Sequence, residues 1–213
     1  MRDLGTIIYL HGFRSSAASV KATAFRLAVD ALPMEVRPRL QVPDLPNRPM
    51  AAIDAVITLV RQCANPASVT FVGSSLGGYY ATWLAEHFGA RAALINPAVR
   101  PYDDLESYLG VQVNMYTGEQ FEVTRANLDE LAKLAVVRIS RPDRYFLLVE
   151  TGDEVLDYRQ AVAFYGGAWQ YVRGGGSHAF TDFVAQIPAV FRFAGVAIAC
   201  DRANVDSPLP QAR

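Results

Sequence analysis

A G-x-S-x-G motif at residues 73–77, set between a strand-like and a helix-like segment, most constrains how this chain can fold. The apolar, β-branched run that ends at Val72 is typical of a buried strand, and residues 80–88 show a helical pattern closed by Gly89. So sharp a turn holds Ser75 in a strained conformation, and only glycines fit two residues before and after it. The motif therefore predicts a nucleophile elbow. The alternative is a glycine-rich turn that only packs a helix on a strand.

Strand-like and helix-like segments alternate along most of the chain. Hydrophobic residues make up 51% of the 213 positions and charged residues 19%, which suits a sheet covered by helices on both faces. The alternation predicts a mostly parallel α/β sheet of about six strands with right-handed crossovers. Strands are predicted at 6–10, 39–42, 68–72, 92–96, 144–150 and 169–172, and helices at 19–31, 50–64, 80–88, 158–165 and 180–193.

Bulk properties favour a single cytoplasmic domain. The net charge of −1 and the pI of about 6.3 give no argument for a nucleic acid or an anionic membrane as partner. The apolar run at 190–200 is too short to cross a bilayer, and residues 1–5 do not resemble a signal peptide. Cys63 and Cys200 are expected to be reduced. We expect one domain over 1–200 and a frayed tail at 201–213, and a homodimer stays open.

Residues 98–143 break the alternation and predict a small cap insertion. They carry several tyrosines and acidic residues, and one amphipathic helix is predicted at about 125–134. An insertion of this kind usually lies over the carboxyl ends of the strands, where ligands bind. An edge extension that only covers the sheet is an equally weighted alternative. The aromatic residues predicted to line an acyl site are Tyr102, Tyr108, Tyr116 and Phe121.

An elbow serine needs a general base, and the chain offers three histidines. His178 lies in a glycine-rich loop before a helix, so we predict that it is the base; an exposed loop histidine is the alternative. His87 sits near the end of the helix after the elbow, where a cation suits the helix dipole. His11 follows the first strand, and we expect it to brace that loop through hydrogen bonds.

The acid that would orient His178 is expected after the strand at 144–150. Asp153 is the first choice because it lies in the turn immediately beyond that strand, where a carboxylate can fix the imidazole tautomer. Asp157 is the second choice and could instead cap the helix that begins near Tyr158. The order Ser75, Asp153, His178 is the chain order of the α/β-hydrolase triad.

The oxyanion hole of such a site requires two backbone donors. The N–H of Leu76, the residue after the nucleophile, is one. The N–H of Phe13 is the other candidate, because Gly12 lets the loop after the first strand approach Ser75 closely.

Several segments together resemble the α/β-hydrolases and, more narrowly, the YqiA/YcfP-type esterase family. They are residues 8–16, 73–79, 94–99, 151–158 and 175–178. The likeness extends over nearly the whole chain, 5–195. It implies an α/β-hydrolase fold and hydrolysis of esters or thioesters, with Ser75, Asp153 and His178 as the triad.

The predicted reaction is acyl transfer through an acyl-Ser75 intermediate, with His178 as base and then as acid. No metal or organic cofactor is implied, and the expected partner is a small ester or acyl thioester substrate. Alternatives are the same triad acting on a lactone or amide, and a non-catalytic binding protein with this fold.

Overall fold

The sheet at the centre of the molecule has six parallel strands in the computed structural model, which describes residues 5–198. The strands are β1 (Thr6–Leu10), β2 (Arg39–Gln41), β3 (Val69–Ser74), β4 (Arg91–Ile95), β7 (Tyr145–Glu150) and β8 (Trp169–Arg173). Their spatial order is β2-β1-β3-β4-β7-β8, and every neighbouring pair is parallel. The predicted mostly parallel α/β fold is therefore confirmed. The tail at 201–213 and Cys200 lie outside the described residues.

Helices cover both faces of this sheet because successive side chains of a strand point to opposite sides. In β1, Ile7 and Tyr9 pack on one side, while Ile8 and Leu10 pack on the other. The first side is covered by α1 (Val20–Asp30) and α7 (Phe183–Phe193). The second side is covered by α2 (Pro49–Arg61), α3 (Leu76–Phe88), α5 (Arg125–Lys133) and α6 (Tyr158–Phe164).

Two helix starts differ from the sequence prediction. Helix α3 begins at Leu76, directly after Ser75. Helix α7 begins at Phe183 instead of residue 180, because Phe180 has φ 59°, a left-handed conformation that a helix cannot contain. The residues before α7 therefore form a longer loop, and this loop carries His178.

The insertion between β4 and β7 contains a short helix, α4 (Pro101–Asp104), an antiparallel hairpin and α5. The hairpin, β5 (Gly110–Val113) and β6 (Gln120–Val123), was not predicted. Its turn is tied to the loop after β1, since the N–H of Met115 donates to the carbonyl of Arg14 at 2.9 Å. The insertion thus reaches the edge of the sheet where the carboxyl ends of the strands lie.

The structure also bears on the predictions about membrane spans and cysteines. Within residues 5–198, none of the helices combines the length and the apolar character needed to cross a membrane. Cys63 is a free thiol.

Candidate active site

The turn between β3 and α3 holds Ser75 in a strained conformation at the carboxyl edge of the sheet. Its φ of 54° and ψ of −122° are rarely adopted by residues that carry a side chain. A Cβ on Gly73 would clash with the carbonyl of Gly77, and a Cβ on Gly77 would clash with the carbonyl of Leu10. Both glycines of the motif are therefore required by close backbone contacts.

Three side chains from separate loops form a continuous hydrogen-bond chain. Nε2 of His178 lies 3.1 Å from Oγ of Ser75, and Nδ1 of His178 lies 2.9 Å from Oδ2 of Asp153. The Asp153 side chain is 2% exposed and that of His178 is 23% exposed, so the carboxylate is shielded while the imidazole remains accessible. If Nδ1 donates to Asp153, Nε2 is free to accept the serine proton.

The two candidate acids have different environments. Oδ1 of Asp153 also accepts from the N–H groups of Val155 and Leu156, at 2.9 and 2.8 Å, which fixes the carboxylate facing His178. Asp157 instead caps α6, and its Oδ1 accepts from the N–H of Arg159 at 3.1 Å. The structure thus brings Asp153 to the imidazole and leaves Asp157 at the helix end.

The loop after β1 lies directly over the elbow. A Cβ built on Gly12 would lie 3.2 Å from Cβ of Ser75. The next residue, Phe13, lines the same cleft as Ser75 and Leu76. Leu76 is the first residue of α3, so its N–H has no partner within the helix. Both predicted oxyanion donors thus belong to residues that line the same cleft as Ser75.

The other two histidines have structural contacts. His11 is buried; its Nδ1 lies 3.0 Å from the carbonyl of Gly12, and its Nε2 accepts from the N–H of Leu45 at 3.0 Å. Burial lowers the pKa of His11, which favours the neutral ring that these two bonds need. His11 therefore braces the loop, as expected. His87 is exposed in the last turn of α3, where its ring stacks on Trp83.

A cleft of about 320 Å³ opens beside Ser75. Part of its wall is apolar, formed by Ala98, Pro101, Leu105 and Leu156 among others. Two carboxylates, those of Asp104 and Glu154, also line it, and no lysine or arginine is among its described lining residues. In the described part of the chain, no group of three or more His, Cys, Asp or Glu side chains is arranged to hold a metal ion.

The four aromatic residues predicted for the acyl site occupy different places. Tyr108 lines the cleft, and its ring packs edge-on against Phe13 with centroids 5.5 Å apart. Phe121 also packs on Phe13, at 5.8 Å, but is not part of the lining. Tyr102 packs against the core with the Arg100 guanidinium over its ring, and Tyr116 is 47% exposed in the hairpin turn. The structure thus brings Tyr108 into the cleft and leaves the other three outside its lining.

Sequence reasoning missed two polar residues beneath the loop of His178. Glu150 and Asn96 are both buried, at the end of β7 and directly after β4. In the sequence, each of these two residues is a polar residue that follows a buried apolar strand. Ligands bind at the carboxyl ends of parallel strands, so this pattern could have identified both residues.

A family model supplies the relationship to known proteins. The model of the uncharacterised protein family UPF0227 matches residues 6–195. The chain belongs to this family. UPF0227 is the YqiA family that the sequence resemblance indicated.

Solved structures share the fold of this UPF0227 protein at low identity. Mouse alpha/beta hydrolase domain-containing protein 10 is 16% identical with a TM-score of 0.65, and the match covers 89% of each chain. The esterase domain of a Rhodothermus marinus protein is 17% identical with a TM-score of 0.66, covering 91% of this chain and 88% of that one. The monoacylglycerol lipase of Paleococcus ferrophilus is 12% identical with a TM-score of 0.68, covering 92% and 96%. These likenesses show the α/β-hydrolase fold.

Proposed function

We propose that this UPF0227 protein is a serine hydrolase that cleaves small carboxylic esters through an acyl-Ser75 intermediate. The observation that carries the proposal is the chain from Oγ of Ser75 through the imidazole of His178 to the carboxylate of Asp153, with distances of 3.1 and 2.9 Å. The esterase domain and the monoacylglycerol lipase that share the fold agree with it.

The reaction proceeds in two halves. His178 takes the hydroxyl proton through Nε2 while Oγ of Ser75 attacks the ester carbonyl carbon, and Asp153 stabilises the resulting imidazolium. The N–H groups of Phe13 and Leu76, with the positive end of α3, bind the oxyanion. His178 then protonates the departing alcohol as the C–O bond breaks. In the second half His178 removes a proton from water as the water oxygen attacks the acyl carbon. The bond between that carbon and Oγ of Ser75 then breaks, and His178 returns the proton to Oγ, which releases the acid and restores the free hydroxyl.

The cleft favours small, uncharged esters over acyl-CoA thioesters. Its volume of about 320 Å³ is near the lower end of the range for ligand pockets. The carboxylates of Asp104 and Glu154 would repel the phosphates of coenzyme A. Tyr108 lines the acyl site in this proposal, and Phe121 acts indirectly by supporting Phe13. The cytoplasmic location and the homodimer remain predictions from the sequence.

A fluorophosphonate probe combined with p-nitrophenyl esters of graded chain length tests the proposal. We expect wild-type protein to be labelled and Ser75→Ala to lose labelling and about four orders of magnitude in kcat. Ser74→Ala is the matched control, because Ser74 is the neighbouring buried serine, and it should keep substantial activity. Labelling or hydrolysis that survives in Ser75→Ala would contradict the mechanism, and an inert wild type would favour a binding protein.

A further inference from the structure

The loop that carries His178 lies on a buried carboxylate at the end of β7. Glu150 has 0% of its side chain exposed. Its Oε2 accepts from the N–H of Ser177 at 2.8 Å, from the N–H of Thr181 at 2.9 Å and from the Thr181 hydroxyl at 3.2 Å. Ser177 and Thr181 flank His178, so one carboxylate oxygen ties both sides of the loop together.

The second oxygen of Glu150 is also occupied by a donor. Oε1 accepts from Nη1 of Arg173 on β8 at 2.7 Å. Burial opposes the ionisation of Glu150, but the hydrogen bonds from Thr181, Ser177 and Arg173 outweigh it and lower the pKa. Every hydrogen-bonding group around both oxygens is a donor, and only an ionised carboxylate accepts on both sides.

Three more side chains hold the same loop by its backbone. Nδ2 of Asn96 donates to the carbonyls of Ser177 and His178 at 3.0 and 3.2 Å, and its Oδ1 accepts from the N–H of Glu150 at 3.0 Å. Nζ of Lys21 donates to the carbonyl of Ala179 at 2.9 Å, and Oε2 of Glu154 accepts from the N–H of His178 at 3.0 Å. Glu150 lies at the centre, because it bonds both ends of the loop and is itself bonded by Asn96.

The loop is also shaped to accept this carboxylate. Gly176 has φ 78°, and a Cβ there would clash with the carboxyl group of Glu150. A glycine at this position therefore lets the backbone close directly over Glu150, which brings the N–H of Ser177 into bonding distance.

We propose that Glu150 is a positioning residue that sets the place of the general base relative to the nucleophile. It is not among the residues that line the cleft, and it acts on His178 through Ser177 and Thr181, which it bonds by their N–H groups and by the Thr181 hydroxyl. This inference rests on the proposed function, because it concerns the same base. The new element is that the distance between Nε2 of His178 and Oγ of Ser75 depends on Glu150, a carboxylate outside the proposed triad.

Glu150→Gln is the direct test, because the amide keeps the shape but turns one acceptor into a donor. In either orientation the NH₂ group faces Arg173 or the N–H groups of the loop. We expect kcat to fall about 100-fold, as for a displacement of a catalytic group by about 1 Å, with KM unchanged. Fluorophosphonate labelling should slow in proportion. The amides of Ser177 and Thr181 should exchange faster with deuterium.

Glu130→Gln is the matched control. Glu130 is also buried, and its carboxylate also accepts from an arginine and a backbone N–H, those of Arg48 at 2.7 Å and Met50 at 3.0 Å. It lies on α5 against α2, away from the His178 loop. This variant should lose stability but keep the wild-type kcat and the exchange rates of the loop amides.

The outcomes separate this proposal from the proposed function. A wild type that neither labels nor hydrolyses overturns both. An active wild type with a Glu150→Gln variant that matches Glu130→Gln in kcat and in loop exchange overturns only the role of Glu150. If Glu150→Gln does not fold, Thr181→Val removes one bond to the carboxylate at an exposed position. It should lower kcat to a smaller extent at unchanged KM, and an unchanged kcat would overturn the proposal.

Discussion

Ser75 and His178 are 103 positions apart in the chain, yet Oγ of the serine lies 3.1 Å from Nε2 of the histidine. The serine reaches this place only through its unusual backbone conformation. Neighbouring backbone groups hold that conformation: the N–H of Ser75 donates to the carbonyl of Ile95 at 3.0 Å, and its carbonyl accepts from the N–H of Ala98 at 3.1 Å. The elbow is therefore strained locally and held in place by β4 and the residues that follow it.

This strain can be measured by comparing two inactive variants. Ser75→Gly should be more stable than Ser75→Ala by about 1 kcal/mol, because glycine adopts a positive φ without the cost that a Cβ brings. Denaturant unfolding measures the difference. The same pair at Ser74, which lies in β3, should show the opposite order, since glycine weakens a strand. Equal stabilities of the two Ser75 variants would show that the elbow is not strained.

The two candidate acids should differ sharply in their effect on catalysis. Asp153→Asn should lower kcat by about 10⁴, because the imidazole can then adopt the wrong tautomer. Asp157→Asn should leave kcat almost unchanged, since asparagine caps a helix about as well as aspartate. Hydrolysis of a p-nitrophenyl ester measures both. The reverse ranking would assign the acid to Asp157.

Tyr108 should influence which acyl chains are accepted. Truncation to alanine removes an aromatic wall of the cleft and should shift the preference toward longer acyl esters, with little change in Tm. Tyr102→Ala is the control: it removes a ring packed on the core outside the cleft lining, so it should lower Tm and leave the profile unchanged. A loss by Tyr108→Ala that is uniform over short, medium and long esters would exclude the acyl-site role.

Asp104 should select against negatively charged substrates. Asp104→Asn should raise the rate for a hemisuccinate ester relative to a butyrate ester by about two- to fivefold, the size of a partly exposed charge interaction. Burial, and then the charge of Asp103, raise the pKa of Asp104, so the assay belongs at about pH 8, where the group is ionised. Asp103→Asn is the control, because Asp103 pairs with Arg100 and is not part of the cleft lining. Equal shifts in both variants would mean that the effect is not local to the cleft.

His11 should make stability depend on pH. Because burial lowers its pKa in the folded state, the unfolded chain binds more protons below about pH 6.5, and stability is lost as the pH falls through that value. Protonation also places an N–H of the ring against the N–H of Leu45. His11→Gln cannot titrate, so its free energy of unfolding should fall less than that of wild type between about pH 7 and pH 5. Parallel curves would contradict this.

Local patterns in the sequence were enough to predict the six strands of the central sheet, most helices and the sharp turn at Ser75. Strand β1 was predicted with the bounds that the structure shows, and the helix predicted at 19–31 is α1 at Val20–Asp30. The requirement for Gly73 and Gly77 also followed from the motif. These features depend on short-range rules: continuous apolar runs in strands that are buried on both faces, helical periodicity and the steric limits of a sharp turn.

Only the tertiary structure decided which side chains meet. It brought Asp153 to His178 and put Asp157 at a helix end, although four positions separate them and both follow the same strand. It placed Tyr108 in the cleft and Tyr102 outside its lining, and it joined Glu150 to the loop that carries His178. Such contacts depend on loop conformation and on how distant elements pack. For example, the positive φ of Phe180 is incompatible with a helix, so α7 begins at Phe183 and not at residue 180. No local sequence pattern encodes that conformation.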